Sequence, residues 1–200
     1  MIGMETLREL KRLGDQSAEM AVESLAEMTA MEVVMEVSAV NLTEVEQIPA
    51  TIGITEDAII GLFVRFTGEL PGSVLTLISI PSAQKLADIM LAGMGDEPAE
   101  GEVLSEMQQS AVEEIGNIIT SSFIDVWANA FTTALTQTPP AFVCDYVPSV
   151  IDAALARASE KGDFAVVFNS AIHITDQDID CHILVLPDPD KMQMMFDSME

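Results

Sequence analysis

Ser110-Ala-Val-Glu-Glu114-Ile-Gly-Asn117 lies in the first half of a long helical pattern running from about Glu102 to Leu135. Leu104, Met107, Ala111, Ile115, Ile118, Val126 and Ala130 recur at spacings that predict one buried face. Ser110, Glu114, Asn117 and Ser121 recur at spacings of three and four on a different face, so their side chains fall along one line. Two choices on this helix are costly. Asn117 is a poor helix former, and Gly116 costs roughly 1 kcal/mol against Ala in a helix interior. An ordinary solvated face with one tolerated glycine explains the pattern. So does a line of polar side chains kept for chemistry.

Ser-x-x-x-Glu-x-x-Asn, with Glu114-Ile-Gly-Asn117-Ile-Ile followed by Ser121-Ser-Phe, closely resembles the signature helix of the CheC/CheX/FliY chemotaxis phosphatases. The resemblance implies hydrolysis of the aspartyl phosphate on the response regulator CheY. Asn117 would then orient the attacking water through its carboxamide, the role that Gln plays in Ras-type GTP hydrolysis. Glu114 would pair with the active-site Lys of phosphorylated CheY and set the register of the helix. Gly116 would let the partner's loops approach the helix backbone. Ser110 would hydrogen-bond at the rim or back-bond within its own helix. No cofactor or metal belongs to the chain itself, because the regulator carries its own Mg²⁺. The alternative is a non-catalytic or weakly catalytic adaptor that binds the receptor deamidase CheD or a motor-switch component, as FliY does.

Outward from this helix the order of elements repeats. Residues from Met4 to about Met28 read as a helix interrupted by Gly14, and Val33 to Leu42 as a strand. Pro49 to Gly53 is a short connector. Ala58 to Thr67 and Ser73 to Ile80 form a strand pair through a turn at Gly68–Gly72, and Pro81 to Met90 forms a helix with Ser82 as its expected N-cap. Gly93 to Gly101 reads as a linker. Past the signature helix come a strand (Ala141–Val147), a helix (Ser149–Ser159), two strands (Phe164–Thr175 and Ile179–Leu186) and a closing helix (Pro187–Phe196). Ile80-Pro-Ser-Ala-Gln-Lys and Leu186-Pro-Asp-Pro-Asp-Lys align without a gap.

The predicted architecture is one α+β domain over residues 1–200, built from halves 1–95 and 101–200 about a pseudo-two-fold axis. Three strands alone bury little, so the halves would join as one six-stranded antiparallel sheet covered by helices. The CheC-like fold has this duplicated layout. Subtracting 102 from Ser110, Glu114 and Asn117 gives Arg8, Arg12 and Asp15, with Leu13-Gly14-Asp15 over Ile115-Gly116-Asn117. This first site is degenerate. An Arg at the Glu position opposes the partner's Lys, and Asp lacks the amide donor while adding charge near a phosphoryl group.

Composition narrows the function further. Formal net charge is -25, from 33 acidic against 8 basic residues spread through the 200. Such a surface repels phosphate backbones, which excludes nucleic acid as a partner. Hydrophobic content of 49% argues against disorder, and acidic, Lys-poor surfaces suit a halophilic archaeal host. No apolar run reaches the roughly 18 residues that cross a bilayer, and the charged amphipathic start is not a signal sequence, so a cytoplasmic protein is expected. Cys144 and Cys181 lack CxxC spacing and read as small buried residues. His173 and His182 stand without a carboxylate cluster, so no metal site is expected.

Overall fold

The computed structural model describes residues 4–53, 57–92, 94, 96–157, 164–174, 177–188, 190–192 and 194. Their elements are α1 (Met4–Thr29), β1 (Val33–Glu44), a 3-10 turn (Val45–Gln47), α2 (Ile48–Ile52), β2 (Ala58–Gly68), β3 (Gly72–Ser79), α3 (Ile80–Met90), α4 (Glu106–Ala130), β4 (Leu135–Gln137), β5 (Ala141–Tyr146), α5 (Val147–Arg157), β6 (Phe164–Ile174) and β7 (Gln177–Pro187). Residues 190–192 and 194 are helical, and the rest of the expected closing helix lies outside the described residues. So does the end of the expected Ser149–Ser159 helix.

All pairings in the sheet are antiparallel, in the order β1-β6-β7-β3-β2, and β4 and β5 both pair with the outer edge of β2. The sheet therefore has seven strands where six were expected. The extra one arises from a break in the edge. Thr138-Pro139-Pro140 separates β4 from β5, and two prolines in succession cannot donate to a ladder. Thr138 bridges the gap: its N–H donates to the Arg65 carbonyl at 2.8 Å, and its Oγ1 accepts from the Arg65 N–H at 3.1 Å.

Consecutive residues of the inner strands enter different cores. Val166 and Phe168 join Leu62, Ile183, Leu13, Ile115 and Phe123 in the larger core, under α1, α3 and α4. Ala165 and Val167 join Ile59, Phe63, Leu184 and Val150 in the smaller core, under α2 and α5. Apolar residues in unbroken runs, such as Ile59 to Val64, are what a sheet covered on both faces requires. At one end of the second face the alternation turns polar. His182 Nδ1 lies 3.1 Å from Asn169 Oδ1, and His173 Nδ1 lies 2.6 Å from Asp178 Oδ1. Burial pushes the His182 pKa below its ordinary value, against the opposing pull of Asp180.

Several helix boundaries differ from the sequence reading. α4 starts at Glu106, where Ser105 and Gln108 form a reciprocal capping box. It ends at Ala130: Thr132 takes a positive φ of 51° and Leu135 joins β4. The cap turns Gln108 inward, and Met107 faces outward at 47% exposure in place of its expected burial. α1 runs straight through Gly14. Ser79, not Ser82, caps α3, its side chain accepting from the Ser82 N–H. Cys181 is buried as expected, whereas Cys144 is exposed because it lies on the edge strand β5. Among the described residues no helix is long and apolar enough to cross a membrane.

Candidate functional site on helix α4

α4 lies over the sheet with Ile115, Gly116, Ile119 and Phe123 turned inward. Gly116 is the point of closest approach. A Cβ built there would sit 2.0 Å from Leu62 Cδ1, a clash no real side chain shows. This corrects the expected role of Gly116: it is buried against β2, so the missing side chain serves the helix–sheet contact and not a partner's loops. Gly14 does the same for α1, where an added Cβ would lie 2.7 Å from the Phe168 ring on β6.

With Gly116 turned inward, the polar line faces out. Ser110 and Glu114 are exposed, and Asn117 and Ser121 are half-buried. Among the described residues, neither the Glu114 carboxylate nor the Asn117 carboxamide has a hydrogen-bond or ion-pair partner. Ser110 Oγ donates to the Glu106 carbonyl at 2.9 Å, so of its two expected roles the local back-bond is the one formed. Ser121 Oγ accepts from Gln137 Nε2 at 2.7 Å, which fastens the far end of the line to β4. Gln137 escapes the sequence reading because its short strand begins where the residues still read as the end of a helix.

The α1 residues expected as a degenerate first site are differently placed and differently engaged. α1 packs on α4, and the groove between them is lined by Arg12, Gln16 and Glu23 from α1 and by Val126 and Asn129 from α4. Val126 stands roughly 14 Å along the helix axis from Asn117, so Arg12 does not join the Glu114–Asn117 line. Its guanidinium is committed to Glu9, through Nε at 2.9 Å and through Nη2, and to Gln16 through Nη1 at 2.8 Å. The Arg12 hydrogen bond holds the Glu9 carboxyl below the usual carboxylate range. Asp15 is paired with Lys11, and Arg8 is exposed. The two helices thus differ: Arg12 and Asp15 of α1 are engaged within their own helix, whereas Glu114 and Asn117 of α4 are uncommitted.

The chemistry open to the α4 line is limited and specific. It offers a carboxylate and a carboxamide one turn apart, with no Cys or His in the helix and no Lys or Arg between Glu106 and Ala130. Among the described residues no group of three or more His, Cys, Asp or Glu could hold a metal. No Cys or His stands on the helix to act as nucleophile or as its activating base. Holding a cation at Glu114 and directing a water at Asn117 are both within reach, provided the partner neutralises its own anionic charge.

The model of the CheC-like family matches residues 107–144, from the start of α4 through most of β5. A CheC1 protein of Halobacterium salinarum is 28% identical over 99% of this chain and 98% of its own length. The CheY-P phosphatase CheC of Bacillus subtilis is 25% identical over 96% of this chain and 91% of its own. In fold the chain is similar to FliY of Thermotoga maritima, with a TM-score of 0.77, 15% identity, and coverage of 98% of this chain and 96% of that one. In its signature helix and over its full length the chain is thus similar to CheC proteins, and in fold to FliY.

Proposed function

We propose that this chain hydrolyses the aspartyl phosphate of a CheY-type response regulator through the outward line of α4. Asn117 accepts a hydrogen bond from a water through its carboxamide oxygen and aims the water oxygen at phosphorus, in line with the bond to the regulator's Asp. The new P–O bond forms as the acyl-phosphate P–O bond breaks, and the water's protons leave with inorganic phosphate and solvent. A Mg²⁺ held by the regulator would supply the charge neutralisation of the phosphoryl oxygens. Glu114 pairs with the regulator's active-site Lys and fixes the register. The chain supplies positioning and charge alone, which is what phosphoryl transfer mostly needs.

The observation that carries this reading is the uncommitted pair itself, a carboxylate and a carboxamide unpaired on a helix packed firmly at its back. The Bacillus relative, a CheY-P phosphatase by name, supports the substrate class. The strand order supports an internal duplication: with β1 matched to β5, β2 to β6 and β3 to β7, the order β1-β6-β7-β3-β2-β5 reads the same from either end. On this reading residues 1–200 form one domain of two halves, of which only the second is catalytic. A single-turnover assay with the phosphorylated native regulator tests the proposal: phosphate loss should accelerate with wild type and not with Asn117→Ala. Equal rates with and without the protein would overturn it.

A further inference from the structure

The serines of α4 use their hydroxyls in two ways. Ser110 Oγ and Ser122 Oγ each donate to the carbonyl four residues before, at 2.9 Å. Ser121 makes no such back-bond among the described residues, and its Oγ accepts from Gln137 Nε2 at 2.7 Å. Gln137 belongs to β4, where it stands opposite Phe66, a member of the core under α4. Residues opposite each other on neighbouring strands share a face, so the Gln137 side chain leaves the sheet on the α4 side. The strand fixes the backbone of Gln137, and Ser121 holds one end of its carboxamide. The other end, Oε1, is without a partner among the described residues, and the residue is exposed.

Position decides what this side chain can meet. Ser121 follows Asn117 by four residues, roughly 6 Å along the helix axis and on the same face. Even a small stable interface covers about 600 Å² of each partner, a disc of roughly 14 Å radius. A response regulator that brings its phosphoryl group to Asn117 therefore covers Gln137 as well. We infer that Gln137 is a further recognition residue of this site: its carboxamide, held by Ser121, accepts a hydrogen bond from the regulator through Oε1. The inference rests on the function proposed above and adds a contact on a second element, β4. A covered carbonyl left without a donor costs affinity, so a matching regulator presents an N–H or O–H at that point. A free surface glutamine gives up rotamer freedom when a partner fixes it, and here Ser121 has already fixed it. Glu114 one turn before Asn117 and Gln137 beside the turn after it then hold the partner on both sides of the reacting group.

Three variants separate recognition from the mere fastening of α4 to β4. Gln137→Ala removes the carboxamide, Gln137→Met keeps the length without it, and Ser121→Ala removes only its holder. Against phosphorylated regulator, KM should rise about tenfold in both Gln137 variants, the scale of a hydrogen bond lost from a covered donor. In Ser121→Ala, where the amide is present but free to move, KM should rise about threefold. kcat should stay within about twofold of wild type in all three, whereas Asn117→Ala should lose kcat. No turnover by wild type would overturn the functional reading and this contact with it. Normal wild-type turnover with KM unmoved in the Gln137 variants would overturn the contact alone. A lower kcat at unchanged KM would reduce the Ser121–Gln137 bond to a fastening of the helix, and a wild-type KM in Gln137→Met would assign the contact to the side chain's apolar stem. Either result equally overturns the proposal.

Discussion

Leu62 Cδ1 occupies the place that a side chain at Gly116 would need: an added Cβ would lie 2.0 Å from it. The glycine in the middle of the signature helix is therefore a packing device. It brings the backbone of α4 down onto β2, and that contact sets which face of the helix is left to Ser110, Glu114 and Asn117.

Gly116→Ala should accordingly destabilise the fold, by about 1–3 kcal/mol for an overpacked core position, against the helix-propensity gain of roughly 1 kcal/mol. Chemical denaturation measures it. Leu62→Ala alone opens a cavity and should cost about 2–5 kcal/mol. Combined, the two changes should cost clearly less than their sum, because each fills the space the other disputes. Strict additivity would show that the clash is relieved elsewhere.

Asn117→Ala should lower kcat roughly 100-fold or more, the scale of losing one preorganised polar group at a transition state. The variant should keep its thermal melting point, because the Asn117 side chain makes no hydrogen bond among the described residues. Glu114→Ala should raise KM and lower kcat together. Near-normal turnover in Asn117→Ala would remove the assignment.

Much of this arrangement was legible in the residues. The spacing of Ser110, Glu114, Asn117 and Ser121 gave their common face, and unbroken apolar runs such as Ile59 to Val64 gave a doubly covered sheet. Three features were not legible, each for a physical reason. Periodicity cannot show where a helix stops when the next residues are also apolar, so Phe131 to Leu135 read as helix although a positive φ at Thr132 ends it. α4 starts at Glu106, about four residues beyond the expected Glu102, with Met107 turned outward, which the capping pair Ser105 and Gln108 would have signalled. A glycine's missing side chain has no direction in a sequence, so whether Gly116 serves a partner or the core is decided by its neighbour Leu62 alone.

Salt should stabilise the protein. At a net charge of -25 self-repulsion opposes the compact state, and screening shortens to about 3 Å near 1 M salt. The melting temperature should rise between low and molar KCl, as a halophilic origin would require. A flat or falling melting temperature would separate the acidic surface from any adaptation to salt.

His182 gives a separate pH signature. Burial holds its imidazole neutral in the native state, at a pKa below the ordinary 6.5, with Asp180 pulling weakly the other way. The unfolded chain therefore binds a proton that the native state resists. The contribution to stability is complete above pH 6.5 and falls as the pH drops below that value toward the lowered native pKa. In His182→Gln, with the Asn169 contact kept by an amide, the fall in melting temperature across this window should shrink. An unchanged pH profile would place the acid sensitivity in other groups.

The two halves should differ in activity, and the reason lies in what their side chains already hold. Arg12 is bound to Glu9 and Gln16, and Asp15 to Lys11, so the α1 counterparts of Glu114 and Asn117 are already engaged. Arg12 would also meet the regulator's Lys with like charge. Arg12→Ala and Asp15→Ala should each leave turnover unchanged, since removing one obstacle leaves the other. The double change Arg12→Glu with Asp15→Asn restores a carboxylate and a carboxamide at the spacing of Glu114 and Asn117. The carboxylate it introduces lies one turn from Glu9, and Lys11 loses its partner, at a cost of a few tenths of a kcal/mol per lost or repulsive pair. If α1 presents its line as α4 does, turnover should climb toward about twice the wild-type rate, the sum of two independent sites. Titration with phosphorylated regulator should meanwhile move from one bound per wild-type chain toward two. Lost activity in Arg12→Ala would mean instead that the first half contributes directly to turnover.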